Sequence, residues 1–344
     1  MFTRKIPLGS AERPQLTVMH SSPPPDGTTK YIDQIVTEAP TELRFTYFSW
    51  KAVFTEKFDV FHVHWPEVLL RSDGGLGRAA KALTLVAMLT KFRLTRVPII
   101  QTLHNLKPHE SGNRLERVLL GLLNNSTALF VRINPVTPLV GDRTVTVLHG
   151  HYRGRFSQYD QPEAVEGNLL HFGLIRPYKG VERLVEVFEM MGDRQLNLRI
   201  VGDPSGGLRE TIELSVARDK RMSALLKFVA DDVLVAEVCK AELVILPYTE
   251  MHNSGALLVT LSLNRPVLVP RTDTSEAIAK EVGPGWVFIF DGTLAASDIS
   301  AALEVIRSSD RSVLPHLEGR DWENVGEGYY DAYVQATRRV QRFR

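Results

Sequence analysis

Short apolar runs alternate with longer amphipathic segments along nearly the whole chain. The apolar runs are rich in Val, Ile, Leu and Phe and end at Pro, Gly or polar residues, which is typical of strands buried in parallel sheets. In the first half, this pattern predicts strands at residues 15–20, 43–48, 59–65, 98–104, 128–133 and 144–149, with helices at 76–92 and 114–124. Strands that alternate with helices predict an α/β fold.

A polar stretch at residues 152–167 interrupts the alternation, which then begins again. The second half predicts strands at 169–175, 196–201, 225–229, 243–247, 266–269 and 286–290. The helices predicted between them are 181–191, 208–219, 234–241, 256–263, 275–281 and 297–307. A chain of 344 residues is long enough for two domains of ordinary size. We therefore predict two Rossmann-like, doubly wound domains, at 1–155 and 156–320.

Composition and charge narrow the class of protein. The formal net charge is +1, which gives no reason to expect a nucleic-acid partner. Cys239 is the single cysteine, so an internal disulfide framework is excluded. Neither the apolar core of a signal peptide nor an apolar run of about 18 residues is evident. The expected location is the cytoplasm.

Two polar clusters follow strands of the first half. One is His64, Trp65 and Glu67, which come after a neighbouring core histidine, His62. An indole ring stacks on the apolar face of a sugar while a carboxylate binds its hydroxyls, so this cluster favours a sugar site. A metal site would need a third ligand, which the sequence does not obviously supply, and we predict none. The second cluster contains His104, Asn105, His109 and Glu110.

Three further clusters follow strands of the second half. Arg176 and Lys179 lie in a loop between a strand and a helix, where cations and helix N–H groups together favour a phosphate. Gly202 ends another strand in a glycine turn. The third cluster is predicted to contribute Tyr248, Glu250, Asn253, Ser254 and Gly255 to the same donor-binding site. The last three of these residues lie at the start of a helix.

The second half resembles the donor domain of GT-B glycosyltransferases of the family-4 type. The resemblance lies in GLIRPYKGV at residues 173–181, IVGD at 200–203, LVILPY at 243–248 and RPVLV at 265–269. It implies a nucleotide-sugar donor whose diphosphate is held by Arg176 and Lys179, with Gly173 letting the backbone approach. It also places residues 228–232 near the base. Two such domains facing a central cleft are implied, with a C-terminal helix, 321–344, packed back on the first domain.

One family feature is missing. Those enzymes carry two glutamates with seven residues between them, but the second position falls on Leu258 or Val259, depending on the register. An Asn253-Ser254-Gly255 turn stands there instead and resembles the GDP-mannose-dependent β-mannosyltransferases of the xanthan and chitobiosyl-diphosphate-lipid types. This second resemblance favours mannose as the sugar, GDP-mannose as the co-substrate and an inverting reaction.

The predicted function is transfer of a hexose from a nucleoside-diphosphate sugar to a hydroxyl of a glycan or glycolipid, without a metal or other cofactor. An inverting enzyme needs a general base, for which His104, Glu110 and Glu67 are the candidates. His64, Trp65, Asn105 and His109 are assigned to the acceptor side. In a retaining enzyme, His104 would contact the donor sugar and Glu250 would bind its hydroxyls. A nucleotide-sugar-binding protein without turnover is a further alternative.

Residues 77–98 combine apolar and basic positions at helical spacing. Such a helix can lie on an anionic lipid surface, and it carries Lys91, Arg93 and Arg96. It can equally be an ordinary covering helix of the first sheet. We therefore expect a cytoplasmic protein with possible peripheral contact at the inner face of the membrane.

Overall fold

The structure, a computed structural model, describes residues 13–27, 30–70, 75–104, 113–249, 251–309 and 312–342. The chain divides into two compact units. The first comprises Met1–Ile133, Thr137–Leu148 and Trp322–Arg344, and the second comprises Asn134–Val136 and His149–Asp321. The chain thus passes into the second unit at His149, ahead of the boundary predicted after residue 155.

The described residues of the first unit form a six-stranded parallel sheet. Its strands are β1 (Leu16–His20), β2 (Leu43–Tyr47), β3 (Val60–Val63), β4 (Ile99–Leu103), β5 (Thr127–Arg132) and β6 (Thr144–Thr146), in the order β2-β1-β3-β4-β5-β6. The strand order reverses between β1 and β3, where open α/β sheets bind ligands beyond the carboxyl ends of the strands. His20, the last residue of β1, pairs with His62, the penultimate residue of β3.

Among the described residues before β6, four α-helices are present: α1 (Lys30–Thr37), α2 (Trp50–Thr55), α3 (Gly75–Thr95) and α4 (Arg114–Ser126). The sequence pattern missed α1 and α2, because each is too short to show several turns of periodicity. The six-residue α2 forms because Ser49 caps it, accepting a hydrogen bond from the Ala52 N–H. Beneath α3, a core of aliphatic and phenylalanine side chains covers one face of the sheet.

The described residues of the second unit form a second six-stranded parallel sheet. Its strands are β7 (Asn168–Phe172), β8 (Asn197–Val201), β9 (Met222–Leu225), β10 (Leu243–Ile245), β11 (Val267–Pro270) and β12 (Val287–Phe290), in the order β12-β11-β10-β7-β8-β9. Here the order reverses between β7 and β10. The strand predicted at 225–229 is wrong in position, because β9 ends at Leu225 and the following Phe228 is exposed.

The helices of the second unit alternate with its strands. They are α5 (Arg153–Phe156), α6 (Val181–Met190), α7 (Leu208–Arg218), α8 (Asp231–Cys239), α9 (Gly255–Ser262), α10 (Asp273–Val282) and α11 (Ala296–Ser308). The largest buried cluster of this unit lies between the sheet and several of these helices. Both sheets therefore have the predicted Rossmann-like, doubly wound arrangement.

The last helix, α12 (Trp322–Arg342), belongs to the first unit. It packs against β3, β4, β5 and α1. Close approach is possible because Gly326 and Gly328 face neighbouring chain: a methyl group at Gly326 would lie 2.6 Å from the Glu38 carbonyl oxygen. Tyr329 and Tyr333 from the same helix are fully buried in this unit.

Candidate active site

Two glycines bring the ends of β7 and β8 close together. Gly173 has φ of 109° and Gly202 has φ of 149°, backbone conformations that side-chain-bearing residues rarely adopt. A methyl group at Gly202 would lie 1.8 Å from the Gly173 carbonyl oxygen. The two turns therefore require glycine, and they leave an edge of bare backbone at the carboxyl ends of the central strands.

Lys179 lies beside this edge, in a single 3-10 turn formed by Pro177–Lys179. Its Nζ atom is 5.0 Å from the centroid of the Tyr248 ring. Among the described residues, no carboxylate pairs with this ammonium. Burial, and secondarily the charge of Arg176, lowers the pKa of Lys179 to about 8. Lys179 is half-buried, and a partly desolvated cation without a counter-ion is costly, so this position favours an anion.

Arg176 is held by the same two loops. Its Nη1 atom donates to the Ile175 carbonyl at 2.9 Å and to the Asp203 carbonyl at 3.0 Å. These bonds fix the guanidinium at the junction of the loops after β7 and β8. A second cation thus lies near Lys179, and its charge contributes to the lowered pKa of that lysine.

The loop after β10 completes this part of the site. The Thr249 N–H donates to the Tyr178 carbonyl at 2.8 Å, so this loop is tied to the Lys179 turn. Ser254 then caps α9 by accepting from the Leu257 N–H, and Gly255 begins the helix. The first N–H groups of a helix have no partner within it and attract anions. Glu250 lies outside the described residues.

Asn253 is occupied by a contact within the second unit. Its Oδ1 atom accepts a hydrogen bond of 2.6 Å from Nδ2 of Asn134. In the stretch expected near the base, Phe228 is exposed and Asp231 is buried in an ion pair with Arg155 at 2.7 Å. Asp231 therefore stabilises the start of α8, and Phe228 is the exposed aromatic side chain of this stretch.

Four histidines meet at the carboxyl ends of β1, β3 and β4 in the first unit. The ring centroids of His62 and His64 are 4.0 Å apart, and the His20 ring lies 5.0 Å from His62 and 5.1 Å from His64. The fourth ring, His104, lies 5.4 Å from His64. His20, His62 and His64 are almost fully buried, whereas His104 is partly exposed.

A hydrogen-bonded chain ties this cluster to the last helix. His62 Nδ1 lies 2.9 Å from the Tyr333 hydroxyl, and His62 Nε2 lies 2.8 Å from the Thr102 hydroxyl. The Thr102 hydroxyl in turn lies 3.0 Å from that of Tyr329, which bonds Tyr31 at 2.6 Å. Residues from three separated segments, β4, α12 and α1, therefore form the chain that holds His62 as a core histidine.

The sequence pattern placed His62 and His64 together but indicated no third histidine. In the structure, His20 lies beside them. The ring nitrogens of the three lie within 4.8 Å of one another. Both nitrogens of His62 have hydroxyl partners, and the three rings pack against one another as a buried cluster. Burial lowers the pKa of His20 to about 3, and burial followed by neighbouring histidines holds the pKa of His62 and His64 well below the usual value. All three rings are neutral at pH 7.

The partly exposed His104 ring has neighbours on three sides. Trp65 stacks on it with a centroid distance of 4.5 Å and an interplanar angle of 17°. The Tyr31 ring meets it edge-on at 5.1 Å. The third neighbour is His64, whose Nδ1 atom lies 3.2 Å from Nε2 of His104. The ring is thereby fixed in position and orientation.

Comparison with known proteins identifies the family. No protein-family model matches the chain. Two curated proteins of Xanthomonas campestris are 44% identical to it over 329 residues, which cover 95% of this chain and 94% of each relative. Both are named GDP-mannose:glycolipid 4-beta-D-mannosyltransferase.

The chain belongs to this glycosyltransferase family. Membership confirms that it is a nucleotide-sugar-dependent hexosyltransferase, and thus an enzyme rather than a binding protein without turnover.

Solved structures of glycosyltransferases confirm the predicted GT-B fold. HepE of Anabaena in complex with UDP has a TM-score of 0.60 at 13% identity, with 95% of this chain and 98% of that chain covered. Sucrose-phosphate synthase of Thermosynechococcus elongatus has a TM-score of 0.59 at 11% identity, with 95% and 97% covered. Identities this low support the fold alone.

The predicted site residues of this mannosyltransferase-family protein fall into three groups. Within the second unit, the structure brings together Gly173, Gly202, Arg176, Lys179 and Tyr248, with Ser254 and Gly255 starting the helix that follows. Within the first unit, it brings together His64, Trp65 and His104, and Glu67 lies in the turn after Trp65. Asn105, His109, Glu110 and Glu250 lie outside the described residues.

Burial distinguishes the histidines. His64 is 1% exposed, so its ring contacts His104 rather than presenting a surface to an acceptor. Sequence reasoning did not find Tyr31, Tyr329 and Tyr333, which surround the cluster. The spacing of Tyr329 and Tyr333 was a signal, since residues four apart share one face of a helix. The spacing does not show which strands Tyr329 and Tyr333 pack against.

Proposed function

We propose that this family member transfers mannose from GDP-mannose to a hydroxyl of a glycolipid, with inversion at the anomeric carbon. The observation that carries the donor assignment is Lys179, a half-buried ammonium beside bare backbone with no carboxylate partner among the described residues. The diphosphate of a nucleotide sugar would supply the missing anion. The sugar nucleotide and the acceptor class follow the names of the two relatives.

In this mechanism, the bond between C1 of mannose and the diphosphate oxygen breaks, and its electron pair leaves with GDP. Arg176, Lys179 and the N–H groups at the start of α9 stabilise the charge that develops there. Because these groups already neutralise the leaving group, the proposal includes no metal ion or other cofactor. Glu250 and Asn253 remain candidates for contacts to the sugar or nucleotide.

The acceptor oxygen forms its bond to C1 from the opposite face and gives its proton to a base of the first unit. His104 is the first candidate, ahead of Glu110 and Glu67, because it is partly exposed and held on three sides. An imidazole can accept a proton near neutral pH without a large shift in pKa. A β-linked product from the α-linked mannose of GDP-mannose requires inversion, which supports this reading over the retaining one.

Nucleotide binding tests the donor site. In a thermal-shift panel, GDP should raise the melting temperature more than UDP or ADP. Arg176→Ala and Lys179→Ala should together weaken GDP binding by several kcal/mol, as expected for charge-assisted contacts to phosphate. Lys220→Ala, at an exposed position of the same unit, is the control and should bind as wild type does. Wild-type GDP affinity in both site variants would show that the donor site lies elsewhere.

Stereochemistry can be read without the natural acceptor. When water replaces the acceptor, GDP-[1-¹³C]mannose hydrolysed by an inverting enzyme should first release β-mannose, detectable by NMR before mutarotation. The α anomer as first product would contradict inversion and support the retaining mechanism. His104→Ala should slow this hydrolysis by roughly 10²–10⁴-fold while GDP binding stays nearly intact.

We further propose that the protein works at the inner face of the cytoplasmic membrane, through the outer faces of α3 and α4. These two helices pack against each other. Large aliphatic side chains are exposed on both, with Leu83 at 74%, Leu94 at 78% and Val118 at 60% exposure. Leu115 and Leu122 extend this face along α4. Adjacent exposed aliphatic residues mark surfaces that contact a partner or a lipid.

The charges next to these aliphatic residues suit an anionic surface. Arg93 and Arg96 are exposed at and just after the end of α3, and Arg114 and Arg117 are exposed on the first turns of α4. Lys91 differs, because its Nζ atom donates to the Val53 carbonyl at 2.6 Å within the unit. Lys91 therefore stabilises the end of α2 and is not part of the proposed lipid surface. Within the described residues, no helix is long and apolar enough to cross a membrane.

Vesicle flotation tests this proposal. The wild-type protein should float with vesicles that contain phosphatidylglycerol at low salt, and less so at high salt. The variant Arg93→Gln/Arg96→Gln/Arg114→Gln/Arg117→Gln should lose most of this binding. Arg194→Gln/Lys220→Gln, in the second unit, serves as the control and should bind like wild type. If the wild-type protein stays with the unbound fraction at low salt, the membrane proposal is wrong.

A further inference from the structure

A cavity of about 370 Å³ opens at the amino end of the sheet in the first unit. Residues at or just before the starts of β1, β3 and β4 line it, together with the end of α3 and the last turns of α12. Its charged lining consists of Asp59, Arg96 and Arg338. The histidine cluster lies at the opposite, carboxyl ends of the same strands, so this cavity is separate from that part of the candidate active site.

The two arginines of this cavity are available to a ligand. Arg96 and Arg338 are exposed, and within the part of the chain that the structure describes, neither guanidinium has an ion pair or a hydrogen bond. The next residue of α12, Arg339, is instead paired with Asp142 at 3.2 Å. Guanidinium groups bind phosphate oxygens through charge-assisted hydrogen bonds, so two of them at one cavity favour a phosphate-bearing ligand.

Arg96 has a backbone conformation that favours glycine. Its φ is 56°, and the Val97 N–H donates to the Phe92 carbonyl at 3.0 Å across it. This is the hydrogen bond with which many helices end around a left-handed residue, and glycine is the usual residue there because a side chain is strained in that region. Backbone strain of this kind persists mainly where the side chain has a function, which supports a ligand contact for Arg96.

Asp59 determines which kind of phosphate fits. Its Oδ2 atom accepts the Thr17 N–H at 2.7 Å, which fixes the carboxylate at the cavity. Two arginines and one aspartate leave a single net positive charge in the lining. A phosphate monoester carries a charge of about −1.5 to −2 at pH 7, whereas a phosphodiester has only one ionised oxygen. The charge of the lining therefore matches a phosphodiester better than a monoester.

We propose that this cavity binds the phosphodiester headgroup of an anionic phospholipid, with Arg96 and Arg338 on the phosphate oxygens. The inference rests on the membrane contact proposed above, because Arg96 also belongs to that lipid surface and follows Leu94, which is 78% exposed. Leu16 and Phe58 form an apolar part of the lining, which suits the carbon atoms of the glycerol next to the phosphate. The protein thus recognises an individual lipid in addition to the charge of the membrane surface.

A water-soluble lipid tests the cavity in the absence of a membrane. Dihexanoyl-phosphatidylglycerol, kept below its critical micelle concentration, should bind the wild-type protein in a calorimetric titration. Arg96→Gly and Arg338→Gln should each weaken this binding by about tenfold or more, as expected for loss of a charge-assisted contact. Arg114→Gln/Arg117→Gln is the matched control, because these arginines belong to the lipid surface but do not line the cavity. Wild-type affinity in both cavity variants, or no binding by the wild-type protein, overturns the proposal.

Folding is controlled by the choice of substitution at Arg96. Because glycine relieves the strain at this position, Arg96→Gly should melt at or above the wild-type temperature, so loss of lipid binding cannot come from unfolding. Asp59→Asn then tests the charge match. It should lower the ratio of the affinity for the lipid to that for glycerol 3-phosphate, a monoester, since the second negative charge is no longer repelled. An unchanged ratio overturns the assignment to a phosphodiester.

The source of the phosphodiester is decided with glycerophosphoglycerol, which is the same headgroup without acyl chains. It should bind more weakly than the short-chain lipid, and equal affinity would assign the cavity to a soluble phosphodiester and overturn the lipid. The surface and the cavity also fail separately. Flotation of the wild-type protein without binding of the soluble lipid would leave the lipid surface in place and overturn the cavity. Binding of the soluble lipid that is lost in both cavity variants supports the cavity, even if the protein does not float with vesicles.

Discussion

Lys179 is a lysine that the fold partly removes from water before any anion binds. The free energy lost by burying its charge appears as a pKa of about 8, against a usual value of 10.5. A bound diphosphate would restore the charge, so GDP binding should take up a proton when the pH is above about 8. Affinity for GDP should therefore fall as the pH rises from 7 to 9, by up to about tenfold for each unit above the pKa.

Calorimetry of GDP binding at pH 7, 8 and 9, in two buffers with different ionisation enthalpies, measures both the affinity and the proton uptake. Lys179→Arg is the matched variant, because its guanidinium stays charged throughout this range. It should show only the pH dependence that GDP itself contributes. Equal slopes for the wild-type protein and Lys179→Arg would mean that Lys179 does not titrate in the free site.

Residue-scale reasoning from the sequence succeeded where the chemistry is local. Gly173, Arg176 and Lys179 lie within seven consecutive residues, so their order along the chain already implied a phosphate loop. The histidine cluster was predicted only in part, because its histidines come from the ends of β1, β3 and β4, and its tyrosine partners come from α12. Which strands are neighbours is decided by the sheet order, and a single sequence does not contain that order.

At the scale of the element, two helical glycines have opposite roles. In α12, a methyl group at Gly326 would meet the Glu38 carbonyl oxygen at 2.6 Å, whereas one at Gly121 in α4 would meet nothing within 4 Å. Alanine favours a helix over glycine by about 1 kcal/mol. Gly121→Ala should therefore stabilise the protein by about that amount, while Gly326→Ala should destabilise it by about 1–3 kcal/mol because α12 must shift.

Denaturant unfolding followed by circular dichroism measures both changes. Since α12 carries Tyr329 and Tyr333, Gly326→Ala should also lower turnover by disturbing the support of His62. Equal stabilisation by both substitutions would show that α12 does not depend on the close approach at Gly326.

Helix and strand boundaries were predicted with uneven success for a physical reason. Long amphipathic segments such as α3 and α6 were found, since several turns repeat the same apolar spacing. The short α1 and α2 were not, and the β9 strand was placed too late because an apolar run continues past Leu225 into an exposed loop. Periodicity identifies buried elements, but it does not show where an apolar residue is left at the surface.

At the scale of the molecule, the two units have separate sheets and separate cores. The proposed cations of the donor site all come from the second unit, and a metal ion has no part in the proposed reaction. Excess chelator should therefore leave mannose transfer within about twofold of the untreated rate. A coupled assay for released GDP, with and without chelator, measures this. Full loss of activity that returns on adding a divalent ion would contradict the prediction.

The return of α12 to the first unit also has a consequence for synthesis on the ribosome. All residues of the second unit precede Trp322, so that unit can fold while α12 is still being made. Most of the first unit is translated earlier, but its folding cannot be completed until α12 is made. Until then, Tyr31, His62 and Thr102 lack their tyrosine partners. Nascent chains stalled before α12 should therefore expose the β3 and β4 region to protease or chaperone while the later half of the protein is already protected.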